Sequence, residues 1–205
     1  MTGTSQFEHP RGPLGRVAGW LMSRTNGGIN RFALDALAAL PGDAVLEIGF
    51  GPGETLRTLA ARPGGFTAGI DPSETMVDAA AARSRALIES GRLEVGSGAV
   101  SRIPYQDARF DRAFSVNTIY FWPSPEQDLR EVARVLRPGG RLVLAFRVRQ
   151  DGTGEAAVPM VRGDASRLPL STLRAWLEGA GFRKVEVNRR KFRVFDAAVV
   201  GATKA

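Results

Sequence analysis

Hydrophobic positions along this 205-residue chain fall into short runs separated by helical stripes. Ala44-Val45-Leu46-Glu47-Ile48 is apolar at every position but one and reads as a buried strand. Residues 66–70, 93–96, 112–116 and 141–146 predict four more strands of the same kind. Between them, 74–89 places Met76, Ala80, Leu87 and Ile88 along an Ala-rich helix, and 125–136 places Leu129, Val132, Val135 and Leu136 on one helical face. Leu136-Arg137-Pro138-Gly139-Gly140 stops that helix, since Pro lacks the N–H and Gly favours the turn. Strands alternating with helices predict βαβ units and a mostly parallel sheet covered on both faces.

The two ends break this rhythm. Residues 1–12 are polar and punctuated by Pro and Gly. Two helical stripes follow, Val17/Trp20/Leu21/Arg24 and Ile29/Phe32/Leu37/Leu40, separated at Gly27-Gly28 and closed by Pro41-Gly42-Asp43. We therefore divide one structural domain into an N-terminal helical arm, 1–41, and a core, 42–205. After the fifth strand, 148–169 reads as a long irregular connection, a kind of segment in which function concentrates. A helix over 171–180 precedes strands over 183–190 and 194–203. Their short link cannot hold a crossover helix, so this pair is antiparallel.

Composition removes several classes of chemistry. No run of about 18 apolar residues predicts a membrane span, and no secretory leader pattern opens the chain. Zero cysteines exclude disulfides, thiolate metal sites and a cysteine nucleophile, and fit a cytoplasmic location. A single histidine, His9, argues against a histidine metal cluster and a Ser-His-Asp triad, so no metal is expected. The net charge of +7 raises a nucleic-acid partner, but only three of the 28 basic residues are lysines. That arginine bias reads as compositional background, and Arg189-Arg190-Lys191 with Arg193 reads as a solvated turn between the last two strands.

The strongest local signal is VLEIGFGPGE at 45–54. Gly49, Gly51 and Gly53 follow a buried strand and precede a helix, where a tight turn lets a ligand approach backbone N–H groups. The spacing is G-x-G-x-G with Glu54 at the sixth position, which departs from the dinucleotide fingerprint and would repel a pyrophosphate. No Gly-Lys-Ser/Thr follows, so this is not a phosphate-binding P-loop. Asp71, 22 residues after Gly49, ends the second strand, where a carboxylate can accept two hydrogen bonds from a ribose diol. The pair points to a nucleoside-like ligand with no phosphate at the loop.

LEIGFGPG, GIDPSETM, IPYQDARFD and LRPGGRLVL stand in the order and spacing of the motifs of class I S-adenosylmethionine-dependent methyltransferases. Over 42–148 the chain resembles that family, nearest to its ubiquinone/menaquinone-biosynthesis-like and natural-product branch. The resemblance implies an α/β fold: a Rossmann-like, seven-stranded, mostly parallel sheet with an antiparallel last strand, flanked by helices, with the N-terminal helices as a lid. It implies S-adenosylmethionine as cofactor and S-adenosylhomocysteine as product. Glu47 would lie near the methionine amino end, with the loop Gly49, Phe50, Gly51 and Gly53 around the cofactor. Asp71 and Pro72 would meet the ribose, Met76 one adenine face, and the Asn117 backbone the methionine moiety. Ala99 stands where many relatives place an acid that holds the adenine amino group, which leaves the Val100 N–H and apolar contact for that task.

Methyl transfer from a sulfonium needs alignment more than acid–base help. The absence of cysteine excludes covalent cytosine methylation. No Asp/Asn/Ser-Pro-Pro-aromatic motif marks a DNA amino-methyltransferase, and NTIY stands there instead. Tyr120, Phe121 and Trp122 follow the fourth strand and suit the wall of a flat or apolar acceptor site, and Arg147 suits a carboxylate. His9 and Tyr120 are the candidate bases. The expected partner is a small-molecule acceptor, a secondary metabolite or quinone-like compound, with the chain a monomer or homodimer. An RNA or protein methyltransferase using the basic surface, or a non-methylating member of the fold, stand as alternatives.

Overall fold

The computed structural model describes residues 27–150, 156–160, 167–193 and 195–205. Helix α1 covers 27–37. There follow β1 (Ala44–Ile48), α2 (Glu54–Ala60), β2 (Phe66–Asp71), α3 (Glu74–Arg83), α4 (Arg85–Glu89), β3 (Leu93–Ser97) and β4 (Phe110–Val116). A single 3-10 turn (Ile119–Phe121) leads to α5 (Pro125–Val135) and β5 (Leu136–Gln150). The chain closes with β6 (Ala156–Pro159), β7 (Arg167–Pro169), α6 (Leu170–Gly179), β8 (Phe182–Lys191) and β9 (Asp196–Lys204).

Strands β3, β2, β1, β4 and β5 are parallel neighbours in that order. β9 inserts antiparallel between β5 and β8, giving the expected seven strands of the α/β sheet, and the β6–β7 hairpin pairs with the end of β5 to make nine in all. From β1 the chain steps outward to β2 and β3, then returns to β4 on the other side. The carboxyl ends of β1 and β4 therefore flank the topological switch point, where open α/β sheets bind ligands.

Each face buries its own apolar set. Leu46, Ile70, Leu144 and Phe146 pack under Leu129 and Val132 of α5 and Leu173 and Leu177 of α6. Val45, Phe114, Val143, Ala145 and Val199 pack under Ile29, Phe32 and Leu37 of α1. Each such side chain contributes roughly 1.5–3 kcal/mol on burial. α1 is thus part of the core, although it falls within the arm expected over 1–41. Among the described residues no helix is long and apolar enough to cross a membrane.

The structure differs from the sequence pattern at four places, one of them Leu136, expected on the apolar face of a helix but the first residue of β5. The helix expected over 74–89 is two, because Ser84 takes φ −122° and ψ 16° and interrupts the ladder. Leu40, expected on the apolar face of α1, is 62% exposed. The helix has ended by then at Ala38, whose φ is 48°, and the Leu40 N–H turns to Asp43 Oδ2 at 2.8 Å. The connection expected to be irregular over 148–169 includes the end of β5 and the hairpin strands β6 and β7, whose Ala156, Val158 and Leu168 are buried. Their period-two apolar positions are too few to stand out among the surrounding Gly, Asp and Arg.

Candidate active site

The loop after β1 owes its three glycines to different causes. All have positive φ: Gly49 at 74°, Gly51 at 55° and Gly53 at 77°. A Cβ on Gly49 would collide with Thr118 Cγ2, and one on Gly53 would lie 2.8 Å from Ala80 Cβ. These two are demanded by internal packing. A Cβ on Gly51 would meet nothing within 4 Å, so Gly51 alone faces open space. Its N–H donates to Asp71 Oδ2 at 2.9 Å, while the Ser73 N–H donates to Asp71 Oδ1 at 2.9 Å. Asp71 is 7% exposed and accepts at both oxygens. The carboxylate thus fixes the loop. Open space at Gly51 beside that acid fits a nucleoside.

Glu47 lies beneath this junction, 3% exposed. The Thr55 hydroxyl of α2 lies 2.5 and 2.7 Å from its two oxygens. Burial, opposed by the Thr55 hydrogen bond and reinforced by the Asp71 charge, pushes its pKa up to about 8. Glu47 is therefore mostly neutral at pH 7, and a cation brought beside it would ionise it.

Two expected ligand contacts are core side chains. Phe50 and Met76 are each 4% exposed and pack together with Leu56 and Ala80, so the loop offers the backbone of Phe50 and little of the Met76 face. Pro72 is exposed beyond Asp71. Ala99 is exposed, and its carbonyl accepts the Arg102 N–H at 3.1 Å, while Val100 is buried behind it.

Across the switch point, β4 ends in Asn117 at φ 56°. Its N–H donates to Ala145 O at 2.8 Å, and its Oδ1 accepts the Tyr120 hydroxyl at 2.8 Å. The same phenol oxygen accepts the Arg147 N–H at 2.5 Å. Tyr120 thereby ties the end of β4 to the end of β5. Burial raises its pKa further, against the lowering effect of the Arg147 backbone, so the phenol stays protonated. Those commitments suit a fixed wall and oppose a role as base.

Trp122, expected to face an acceptor, is 3% exposed and packs in the core. Its Nε1–H donates to Thr118 Oγ1 at 3.1 Å, and Thr118 also hydrogen-bonds Ser115 Oγ. This network presses Thr118 against Gly49. Phe121 is half-buried and meets Tyr120 edge-on, at 6.0 Å between centroids. Thr55 and Thr118 had no sequence signal, because a lone threonine after a strand or in a helix is ordinary.

β9 brings one further group to this end. Arg147 pairs with Ala197 near the start of β9, so the β8–β9 turn lies beside the carboxyl end of β5. The basic cluster Arg189-Arg190-Lys191 with Arg193, expected to be a solvated turn with no tie to the site, stands at the ligand end of the sheet. The Arg147 guanidinium lies 4.4 Å over the Phe195 ring. His9 and the segment before residue 27 lie outside the described residues. Among the described residues, no group of three or more His, Asp or Glu is placed to hold a metal ion.

Residues 46–144, nearly half the chain, match the methyltransferase domain family. An uncharacterized 37.1 kDa protein of transposon TN4556 from Streptomyces fradiae is 42% identical over 113 residues, 54% of this chain and 32% of that one. Methyltransferase GfsG from Streptomyces halstedii is 33% identical over 134 residues, 65% of this chain and 47% of that one. The chain thus spans about a third to a half of these relatives. Among solved structures, the cyclase SpnF superposes with a TM-score of 0.73 at 20% identity, over 95% of this chain and 84% of that one.

Proposed function

We propose that this chain, whose residues 46–144 match the methyltransferase domain family, is a class I S-adenosylmethionine-dependent methyltransferase that methylates a small-molecule acceptor at the carboxyl ends of β1 and β4. The observation that carries this reading is the junction of Gly51 with Asp71: a left-handed backbone position facing open space, held by a buried carboxylate at the end of β2. Asp71 would hold the ribose hydroxyls, Gly49 and Gly51 the methionine backbone, Glu47 the ammonium end, and Val100 the adenine edge. S-adenosylmethionine supplies an activated methyl group when bound. The chain's part is to align the acceptor and exclude water.

Tyr120, Phe121 and Arg147 would wall the acceptor, with Tyr120 a positioning residue. Within the arm expected over 1–41, α1 is fixed on the sheet, while the residues before it, His9 included, lie outside the described residues. GfsG and the 27-O-demethylrifamycin SV methyltransferase from Amycolatopsis mediterranei, 33% identical over 132 residues, favour a secondary metabolite as acceptor. The absence of cysteine supports action in the cytoplasm.

Calorimetric titration with S-adenosylhomocysteine tests the reading. Micromolar-range binding that weakens more than about tenfold in Asp71→Ala is expected, the loss of two hydrogen bonds to a charged group. Absence of binding at millimolar ligand would overturn it.

A further inference from the structure

The positive charge of the chain is not spread evenly. Between Phe182 and Asp196, six cations and two acids leave a net +4 of the chain's +7 within 15 residues. This stretch is β8 and its turn into β9, at one edge of the sheet, since β8 pairs with β9 alone. Arg189, Arg190, Lys191 and Arg193 are exposed, and among the described residues none of them joins an ion pair. The pairs Arg112–Asp43, Arg137–Asp111 and Arg141–Glu186 gather at the other end of the sheet, where β4 and β5 begin. Cations are thus neutralised at one end and left open at the end where β1 and β4 finish.

The four cations surround a tip. Arg190 pairs with Ala197 on the face covered by α1 and lies 4.4 Å over the Phe32 ring. Arg189 pairs with Ala198, which packs on the opposite face, and Lys191 follows it there by strand alternation. Asp196 stands opposite Lys191 and leaves the tip at +3. Charges kept only to stop edge pairing belong along the ladder. Arg193 lies beyond its last pair, Lys191 with Asp196.

This shape selects among polyanions. A nucleic-acid strand is tracked by a basic groove with aromatic rings laid open to the bases. Here the cations splay to both faces, and the rings fold inward. Phe192 and Phe195 stack at 4.9 Å and 28°, and a Cβ on Gly28 would lie 2.8 Å from the Phe192 ring. A flat anionic surface met end-on engages every cation of such a tip at once.

We propose that the β8–β9 tip docks this chain on the surface of a bilayer rich in anionic lipid. The turn lies beside the carboxyl end of β5, so docking holds the carboxyl ends of β1 and β4 toward the same surface. Resting on the proposed function, the mouth then opens toward apolar acceptors held in the bilayer.

The test is co-sedimentation of the full chain with phosphatidylcholine vesicles, with and without phosphatidylglycerol. Binding to the mixed vesicles alone is expected, falling as salt screens exposed charge. Each cation near an anionic surface contributes roughly fivefold, so Arg189→Gln with Arg193→Gln should weaken binding by about tenfold or more. Arg62→Gln with Arg183→Gln makes the same charge change at the far end and should bind as the parent does. Equal losses in the two double variants would overturn the tip, as would equal binding to neutral vesicles. Binding to an RNA duplex at matched salt, with none to either vesicle, would overturn the bilayer in favour of a polynucleotide. S-adenosylhomocysteine binding, measured without vesicles, separates the proposals: if it persists while the vesicles are ignored, only the docking surface is refuted.

Discussion

Glu47→Gln isolates the energetic role of the buried carboxyl. In the folded chain Glu47 is 3% exposed, and its pKa is pushed from 4.5 to about 8, chiefly by burial. The unfolded chain ionises it near 4.5. Between those values the native state binds a proton that the unfolded state has lost, so stability falls as pH rises. Each pH unit costs about 1.4 kcal/mol, which accumulates to on the order of 3–5 kcal/mol by pH 8. That is a large part of the roughly 5–15 kcal/mol that holds a domain together. The glutamine amide of the variant is neutral throughout and can still accept the Thr55 hydroxyl, so it carries no such slope. Urea denaturation of both proteins without cofactor, from pH 5 to pH 8.5, reads the difference directly. The parent's midpoint should fall steadily across the window while the variant's stays level, so the variant overtakes the parent at high pH. Parallel curves would refute the reasoning, because they would mean that Glu47 is already ionised and paired in the folded state.

The remaining predictions probe the same junction. Gly51→Ala should cost only the left-handed strain, about 1–2 kcal/mol, while weakening S-adenosylhomocysteine binding. Gly49→Ala should cost about 2–5 kcal/mol, since strain is joined by collision with Thr118, and adding Thr118→Ser should restore part of it. Equal stability losses from the two alanine variants, measured by urea denaturation, would contradict this division. Tyr120→Phe removes the acceptor of the Arg147 N–H and should cost about 1–2 kcal/mol. Because the phenol pKa is raised, the pH profile of methyl transfer in Tyr120→Phe should keep the parent's shape; loss of a basic limb would make Tyr120 a base.

Much of the sheet was legible because buried parallel strands announce themselves. Leu46, Ile48, Ala68, Ile70, Leu142 and Leu144 form short apolar runs bounded by glycine, proline and charge, and strands occur at all of them. What escaped was decided by single residues. Ser84 has acceptable helix propensity, yet its backbone breaks α3 from α4. Leu40 continues the apolar period of α1, but Ala38 has already left the helix. Periodicity averages over a turn or more and cannot register such events. At the site, Gly51 and Asp71 were legible by spacing, whereas sequence could not separate a glycine kept for open space from one kept for Thr118. Met76 and Trp122 fitted ligand-facing roles equally well in sequence; only packing shows them committed to the core.

The position of the basic turn was illegible for a topological reason. A short link between two strands specifies a hairpin, but not which end of the sheet the turn occupies. That follows from the insertion of β9 beside β5, running opposite to it. β5 carries the chain to the ligand end at Arg147, and an antiparallel partner must then begin at that end, at Asp196 and Ala197. The residues joining β8 to β9 are delivered to the mouth of the site by this reversal alone. Had the last strand run parallel, Arg190 and Phe195 would lie at the far edge, and Arg147 would have no aromatic floor. The antiparallel strand therefore brings Arg190 and Phe195 to the ligand end of the sheet, beside Arg147.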